Sequence, residues 1–312
     1  MATEKEIRRR IKSAKNIKKI TRAMQMVAAS KMKKAQDKAL AGKVYANIIF
    51  HMAGDLAQRG DSTLHPLLID IREKKNRRLI ILISTNKGLC GALNTNLFRF
   101  VENWEKNEPG IENDFVTIGK KGQPFVVYLK DQYIADFSKG NSFIENVSAV
   151  IRLVEEKFIL QEYDEVWIAY SDFKNALIQK PVMKRLLPIS LQELLDETKV
   201  LKYKTATGAE KKEISPEVFK AEKREEEDFV IEPSIKTLLD ALLNSYLEIQ
   251  LRDAIYEAEA SEYSARMVAM KNATDNAGDL IEGLTLEYNK ARQAGITNEL
   301  LDITTAKLGL EG

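Results

Sequence analysis

From Leu239 to Ala291 the chain repeats apolar side chains at strictly alternating steps of three and four. The series is Leu239, Leu242, Tyr246, Ile249, Asp253, Tyr256, Ala260, Tyr263, Met267, Met270, Thr274, Ala277, Ile281, Leu284, Tyr288 and Ala291, and only Asp253 and Thr274 break its apolar character. A 3.5-residue period held this long gives a helix one continuous apolar seam, which is stable only when a second helix covers it. No proline follows Pro233 to interrupt it. The other end of the chain offers a partner of similar length. No proline occurs between Met1 and His65, and the only glycines before Gly60 are Gly42 and Gly54. Ala28, Met32, Ala35, Ala39, Ala46, Ile49, Ala53 and Leu56 keep helical steps. Upstream, Ile17, Ile20, Met24 and Val27 keep the same steps displaced by one position, which predicts a stripe that shifts around the helix. At 1.5 Å per residue, a helix from residue 4 to about 58 spans about 80 Å, so it must project or lie along another helix. Antiparallel pairing of the two ends is the simplest packing.

Charge supports that pairing. Residues 1–40 hold thirteen Lys/Arg against three Asp/Glu, a local net of +10, and residues 233–312 hold seven against thirteen, a net of −6. The whole chain nets only +2. Each surface pair would contribute less than about 1 kcal/mol.

Residues 78–190 change period. Arg78–Ser84 is an unbroken β-type run, followed by the loop Lys87-Gly88-Leu89-Cys90-Gly91 and a helical stretch near Ala92–Trp104. Phe115–Gly119, Tyr133–Phe137 and Asp164–Ser171 read as strands, and Ser142–Leu160 as a helix with Phe143, Val147, Val150, Ile151, Val154 and Phe158 on its apolar face. Strands alternating with helices predict an α/β domain with a mainly parallel, Rossmann-like sheet. The expected fold class is therefore α/β plus a long antiparallel coiled coil of the N- and C-terminal helices. Expected boundaries are 1–60 for the first helix, 76–192 for the α/β domain, 195–232 for a charged insertion and 233–312 for the last helix. Lys204–Glu232 is dense in charge and reads as a solvated loop or short exposed helix.

No site for chemistry stands out. The loop Gly88-Leu89-Cys90-Gly91 follows a strand and could cradle phosphate, but the chain lacks both G-x-G-x-x-G and G-x-x-x-x-G-K-[ST], so a tight turn or a protein contact fits better. Cys90 is the one cysteine, and His51 and His65 are the two histidines; that set makes neither a Cys–His pair nor a transition-metal site. Catalytic, metal and cofactor residues are expected to be absent. The run Arg8, Arg9, Arg10, Lys12, Lys15, Lys18, Lys19 and Arg22 could bind nucleic acid, yet it carries no aromatic residue, and a solvated face or an acidic protein partner fits equally well. Met24, Met26 and Met32 read as seam residues or as an adaptable contact surface. No apolar run approaches the roughly 20 residues of a membrane span.

Two segments carry a resemblance. Ile11–Met32 (IKSAKNIKKITRAMQMVAASKM) resembles the N-terminal helix of F-type ATP synthase gamma subunits. Ala265–Ala277 (ARMVAMKNATDNA) and Leu286–Leu300 (LEYNKARQAGITNEL) resemble their C-terminal helix, and Ser84–Gly91 (STNKGLCG) a loop of the same family. The resemblance implies a non-catalytic central shaft whose rotation drives catalytic subunits through open, loose and tight states. Position by position, Arg292, Gln293 and Thr297 match the polar group that engages a catalytic-subunit loop. Met24 and its neighbours match the facing stretch of the other helix, near an acidic hinge loop. Lys87 matches a second catch, usually arginine, and lysine lacks the bidentate fork. Phe229 to Glu232 matches the foot near the membrane ring and the epsilon subunit. Implied partners are the catalytic beta and alpha subunits, the epsilon subunit and the ring of c subunits, with no nucleic acid and no membrane insertion. The implied location is the cytoplasmic face of a bacterial inner membrane. The sequence departs from the family at Leu301–Lys307, where small residues are usual. Its segment 195–228 is longer than in simple bacterial relatives, which suggests an added contact or brake near the foot. The rival readings are a basic coiled-coil nucleic-acid binder and a small α/β enzyme with a coiled-coil arm.

Overall fold

A computed structural model describes residues 4–59, 65–68, 75–139, 142–190 and 234–311. Helix α1 runs Glu4–Arg59. The middle of the chain follows as β1 (Arg77–Ile83), α2 (Leu93–Lys106), β2 (Glu112–Ile118), α3 (Gly122–Leu129) and β3 (Gln132–Asp136). A short 3-10 turn at Phe143–Asn146 leads into α4 (Val147–Ile159), then β4 (Glu165–Phe173) and β5 (Gln179–Leu187). Helix α5 takes the remainder, Ile235–Glu311. The chain forms two compact units, one of residues 1–31 with 263–312 and one of residues 32–262.

In the first unit the two terminal helices run antiparallel. Tyr288 donates its hydroxyl to Glu4 at 2.8 Å, the Lys31 ammonium lies 5.4 Å from the Tyr263 ring centre, and Lys18 reaches Gly278. From Met270 onward the buried and half-buried positions of α5 are 270, 274, 277, 281, 284, 288 and 291, the alternation expected, with Ala273 and Gly278 half-buried beside them. On α1 the buried positions are Ile7, Ala14, Thr21 and Ala28, spaced by seven, with Ile11, Lys18, Met24 and Gln25 half-buried between them. The expected shift of the stripe is therefore absent. Ile17, Ile20 and Val27 are 54%, 58% and 56% exposed. Apolar character alone selected them, but between Ala14 and Ala28 the buried α1 positions are small, which lets the larger α5 side chains pack against them. The two polar intrusions, Thr21 and Thr274, meet: their hydroxyl oxygens are 2.7 Å apart. Thr21 also donates to the Ile17 carbonyl at 3.0 Å, so both buried hydroxyls are satisfied.

The second unit is built on a five-stranded sheet of order β3-β2-β1-β4-β5. Strands β1 to β4 are parallel and β5 is antiparallel to β4. Strand β1 buries Leu79 to Ile83 without a break, as a central parallel strand covered on both faces must. One face packs on α4 and on segments of the long helices, through Ala46, Ile49, Phe50 and Ala53 of α1 and Leu243, Tyr246 and Leu247 of α5. Phe50 meets Tyr246 edge-on, with ring centres 4.9 Å apart. The other face is closed by α2 and α3 through Leu97, Val101, Phe125 and Val126. Sequence reading missed α3 and β5. Helix α3 is eight residues of apolar run with Pro124 in its first turn, and β5 carries Pro181, a residue tolerated only on an edge strand.

Candidate interaction surfaces

The residues expected to touch partners fall in separate places. In the helical pair, Thr21 lies against Thr274 and Lys31 against Tyr263, so Met24 faces the α5 stretch between those two positions. Arg292, Gln293 and Thr297 lie beyond Tyr288, which already meets Glu4 at the start of α1. About twenty residues of α5 thus separate them from the Met24 level, roughly 30 Å along the axis. The structure does not set Met24 opposite this polar group, because antiparallel register pairs residue numbers that sum to a constant. Met24 is half-buried beside the seam, Met32 likewise, and Met26 is exposed.

Arg292, Gln293 and Thr297 are all exposed. The Thr297 hydroxyl donates to the Gln293 carbonyl at 2.9 Å, which fixes its rotamer. Burial is absent for every described side chain after Ala291, and Ile296, Leu300, Leu301 and Ile303 stand exposed on this last stretch of α5. The hydroxyl of Tyr288 is held above its ordinary pKa, chiefly by its hydrogen bond to Glu4, while Arg8 and Arg292 pull it back. Phe229 and Glu232, and the charged segment 195–228, lie outside the described residues.

Lys87 belongs to the second unit, at the carboxyl edge of the sheet. Two loops meet there and are tied together. Ser84 donates its amide to Ile118 O at 2.8 Å and its hydroxyl to Gly119 O at 2.9 Å. Lys121 N donates to Thr85 O at 3.1 Å, and Lys120 N to Asn86 Oδ1 at 3.0 Å. The Thr85 hydroxyl donates to Lys87 O at 2.9 Å, and Asn94 Nδ2 to the Thr85 hydroxyl oxygen at 2.8 Å. Gly119 is required: its φ is +102°, and a Cβ there would come within 2.1 Å of the Ser84 carbonyl oxygen. The platform exposes Lys87, Lys120 and Lys121. Leu89 sits on it at φ +64°, a left-handed conformation that costs a non-glycine residue about 1–2 kcal/mol. Cys90 is buried beneath, 3.5 Å from Asn94 Nδ2.

The carboxyl edge between β1 and β4 is also the switch point at which open α/β sheets commonly bind nucleotides. Here Ala258, Glu259 and Glu262 of α5 fill it, together with Ser84, Asn94 and Phe143. The cavity left is about 10 Å³, enough for one water and far below the ~300 Å³ of a small-molecule pocket. Among the described residues, no group of three or more His, Cys, Asp or Glu side chains is placed to hold a metal ion. Nor is any described helix long and apolar enough to cross a membrane.

The opposite, amino edge of the sheet closes on itself. Asp114 accepts Arg77 Nη2 at 2.7 Å and the Tyr163 hydroxyl at 2.6 Å, and burial with that bond raises the Tyr163 pKa. Asp164 takes the amides of Lys75 and Arg77. Arg78 pairs with Glu108 and Glu165 and lies 5.0 Å over the Trp104 ring. Near it, burial and then the carboxylates of Asp131 and Glu102 push Glu105 up to about 8. Its Oε1 is buried without a hydrogen-bond partner.

Comparison with known proteins accounts for these features together. A family model described as ATP synthase matches residues 3–308. The ATP synthase gamma chain of Methylacidiphilum infernorum is 41% identical, over 99% of this chain and 100% of its own length. That of Opitutus terrae is also 41% identical, over 98% of each. Among solved structures, a chain of the Euglena gracilis mitochondrial ATP synthase, in a cryo-EM structure of OSCP, F1 and c-ring in rotational state 3, superposes with a TM-score of 0.61 at 21% identity, covering 98% of this chain and 94% of that one. That chain shares the fold. The chain belongs to the ATP synthase gamma-chain family.

Proposed function

We propose that the chain is the central shaft of an F-type ATP synthase, a non-catalytic rotor on the cytoplasmic face of a bacterial inner membrane. It couples ion flow through a ring of c subunits to ATP synthesis or hydrolysis at catalytic beta subunits, which alternate with alpha subunits. The epsilon subunit is its companion at the foot. The observation that carries this reading is the antiparallel pair of residues 4–31 and 263–291. It is narrow, closed on its own seam, and continued by a single helix that holds Arg292, Gln293 and Thr297 in the open. A shaft must resist bending while presenting different faces around its axis, and one chain inside a ring of three catalytic sites touches each site differently. Coupling free energy can come only from such differential contact with the three states. Arg292, Gln293 and Thr297 are assigned to a catalytic-subunit loop, Met24 to the acidic hinge loop and Lys87 to a second catch. Phe229 and Glu232 are assigned to the foot.

A tagged copy of the chain should purify with a nucleotide-hydrolysing complex at one copy per three alpha–beta pairs. Replacing Arg292 and Gln293 with alanine should lower protons pumped per ATP while the chain keeps its fold. Recovery of the chain without ATPase subunits, or at a stoichiometry above one, would contradict the reading.

A further inference from the structure

We propose that the Thr21–Thr274 hydroxyl pair and the Lys18–Gly278 contact form a polar latch that fixes the register in which the two terminal helices pair. The latch stands on the geometry of the first unit, and its consequence for coupling rests on the central-shaft reading.

The apolar pattern leaves that register open. On α1 the buried positions Ile7, Ala14, Thr21 and Ala28 repeat at steps of seven, and on α5 the seam keeps steps of three and four. A slip of one heptad would set apolar against apolar again, with the two helices displaced by about 10 Å along the axis. Ala14 and Ala28 are too small to key into one site only. The polar members of the seam are what tell one register from the next.

Thr21 and Thr274 are 9% and 5% exposed, and their hydroxyl oxygens lie 2.7 Å apart. Thr21 donates to the Ile17 carbonyl at 3.0 Å, which leaves its oxygen free to accept from Thr274. Thr274 has the Met270 carbonyl of its own helix at 2.8 Å as its other acceptor. Each hydroxyl could thus be satisfied in any register, and only the bond between them depends on this one. After a slip of seven, Thr21 would face Ile281 or Met267, and Thr274 would face Ala28 or Ala14.

Lys18 selects by shape and charge. It is half-buried and reaches α5 where Gly278 leaves room, since a Cβ at that position would come within 2.9 Å of the Lys18 Nζ. The same slip would carry Lys18 to Thr285, which has a side chain in the way, or to Lys271, which has the same charge. A polar residue in an apolar seam lowers stability and specifies register. Thr21, Thr274 and Lys18 are therefore positioning residues. Through the register they set the axial distance between Met24 on α1 and Arg292, Gln293 and Thr297 on α5. A shift of about 10 Å is more than a hydrogen bond can follow.

The test uses the full chain in a Cys90→Ala background, with spin labels at Lys19→Cys and Lys290→Cys. Both sites are exposed, and the Thr21–Thr274 pair sets Lys19 level with Asn276, two heptads short of Lys290. One narrow distance between the labels is expected. Thr21→Val/Thr274→Val/Lys18→Ala should add a second distance, held by about a tenth of the molecules or more. Its melting temperature should stay level or rise, because both hydroxyls are replaced by groups of the same shape. Thr21→Ser/Thr274→Ser, with Lys18 kept, should show the single distance. One unchanged distance in the triple variant would overturn the latch, whether its melting temperature falls or not; a fall alone marks a bond that only stabilises. In the assembled complex the triple variant should pump fewer ions per ATP, in proportion to its displaced population. A second distance with wild-type coupling would keep the latch and contradict the central-shaft reading of Arg292, Gln293 and Thr297.

Discussion

In the helical pair, α1 buries Ile7, Ala14, Thr21 and Ala28, whereas in the sheet β1 buries five consecutive aliphatic side chains, Leu79 to Ile83. The sheet is covered on both faces and keeps its large side chains inside. The pair is a two-body contact in which α1 sets mostly small residues against the larger seam residues of α5, and it leaves Ile17, Ile20 and Val27 outside. Burying one CH₂ is worth about 0.8 kcal/mol, so Ala14, Thr21 and Ala28 contribute less than the aliphatic run of β1. The contrast separates two tasks. The sheet holds itself together, while the pair stays slim and α1 leaves Ile17, Ile20 and Val27 facing outward.

The largest expected effect is in the sheet. Ile81→Ala should destabilise the second unit by ~2–5 kcal/mol in denaturant unfolding, since the close-packed site cannot collapse around the void. A cost near that of a surface mutation would erase the distinction drawn here. Next comes the seam, where the sign of the volume change reverses. Ala28→Leu adds bulk between two helices and should cost ~1–3 kcal/mol, read as reduced helical melting temperature. If it stabilises instead, the close approach of α1 and α5 is not real.

Glu105 sharpens the sheet side of the comparison, because it is the place where that unit leaves a carboxyl poorly served. Its folded pKa, pushed up to about 8, lies above its ordinary value of 4.5. The folded state then binds the proton more tightly, so this group favours folding most below pH 4.5, and the contribution is lost as pH rises through 8. Glu105→Gln should therefore gain on wild type between pH 5 and pH 8.5, by about 1 kcal/mol once discounted for its partial exposure. A constant difference across that window would show that the carboxyl is ionised throughout. The smallest effect belongs to Ile17→Ala, within about 0.5 kcal/mol of wild type in the isolated chain. Its consequence should appear only when partner subunits are present, as weaker association.

The sequence exposed some of this and concealed the rest for identifiable reasons. Arg78–Ser84 was legible because a strand buried on both faces must be apolar at every position. The α5 seam from Met270 onward was legible because its large residues follow the period. The α1 stripe from Ala28 to Leu56 was legible for the same reason, and upstream of Ala28 it was not, because alanine and threonine carry little signal beside the isoleucines on the outer face. Helix α3 is too short, at eight residues, to show a helical period, and β5 carries Pro181, a residue that weakens a strand signal. Lys87 could be singled out from its loop, but Lys120 and Lys121 join it only through the β1–β2 register, which sets Ile83 beside Ile118. The exposure of Arg292, Gln293 and Thr297 followed from their place after the last seam residue. Their separation from Met24 required the antiparallel register.

The most direct test ties the two helices together and asks whether the shaft still turns. With Thr21→Cys and Thr274→Cys oxidised to a disulfide across the seam, a probe on the α/β domain of the assembled complex should rotate under ATP in one direction, at the speed of the reduced form. Rotation that stops on oxidation and returns on reduction would mean that the helices must part during the cycle, and a permanently paired axle would be ruled out.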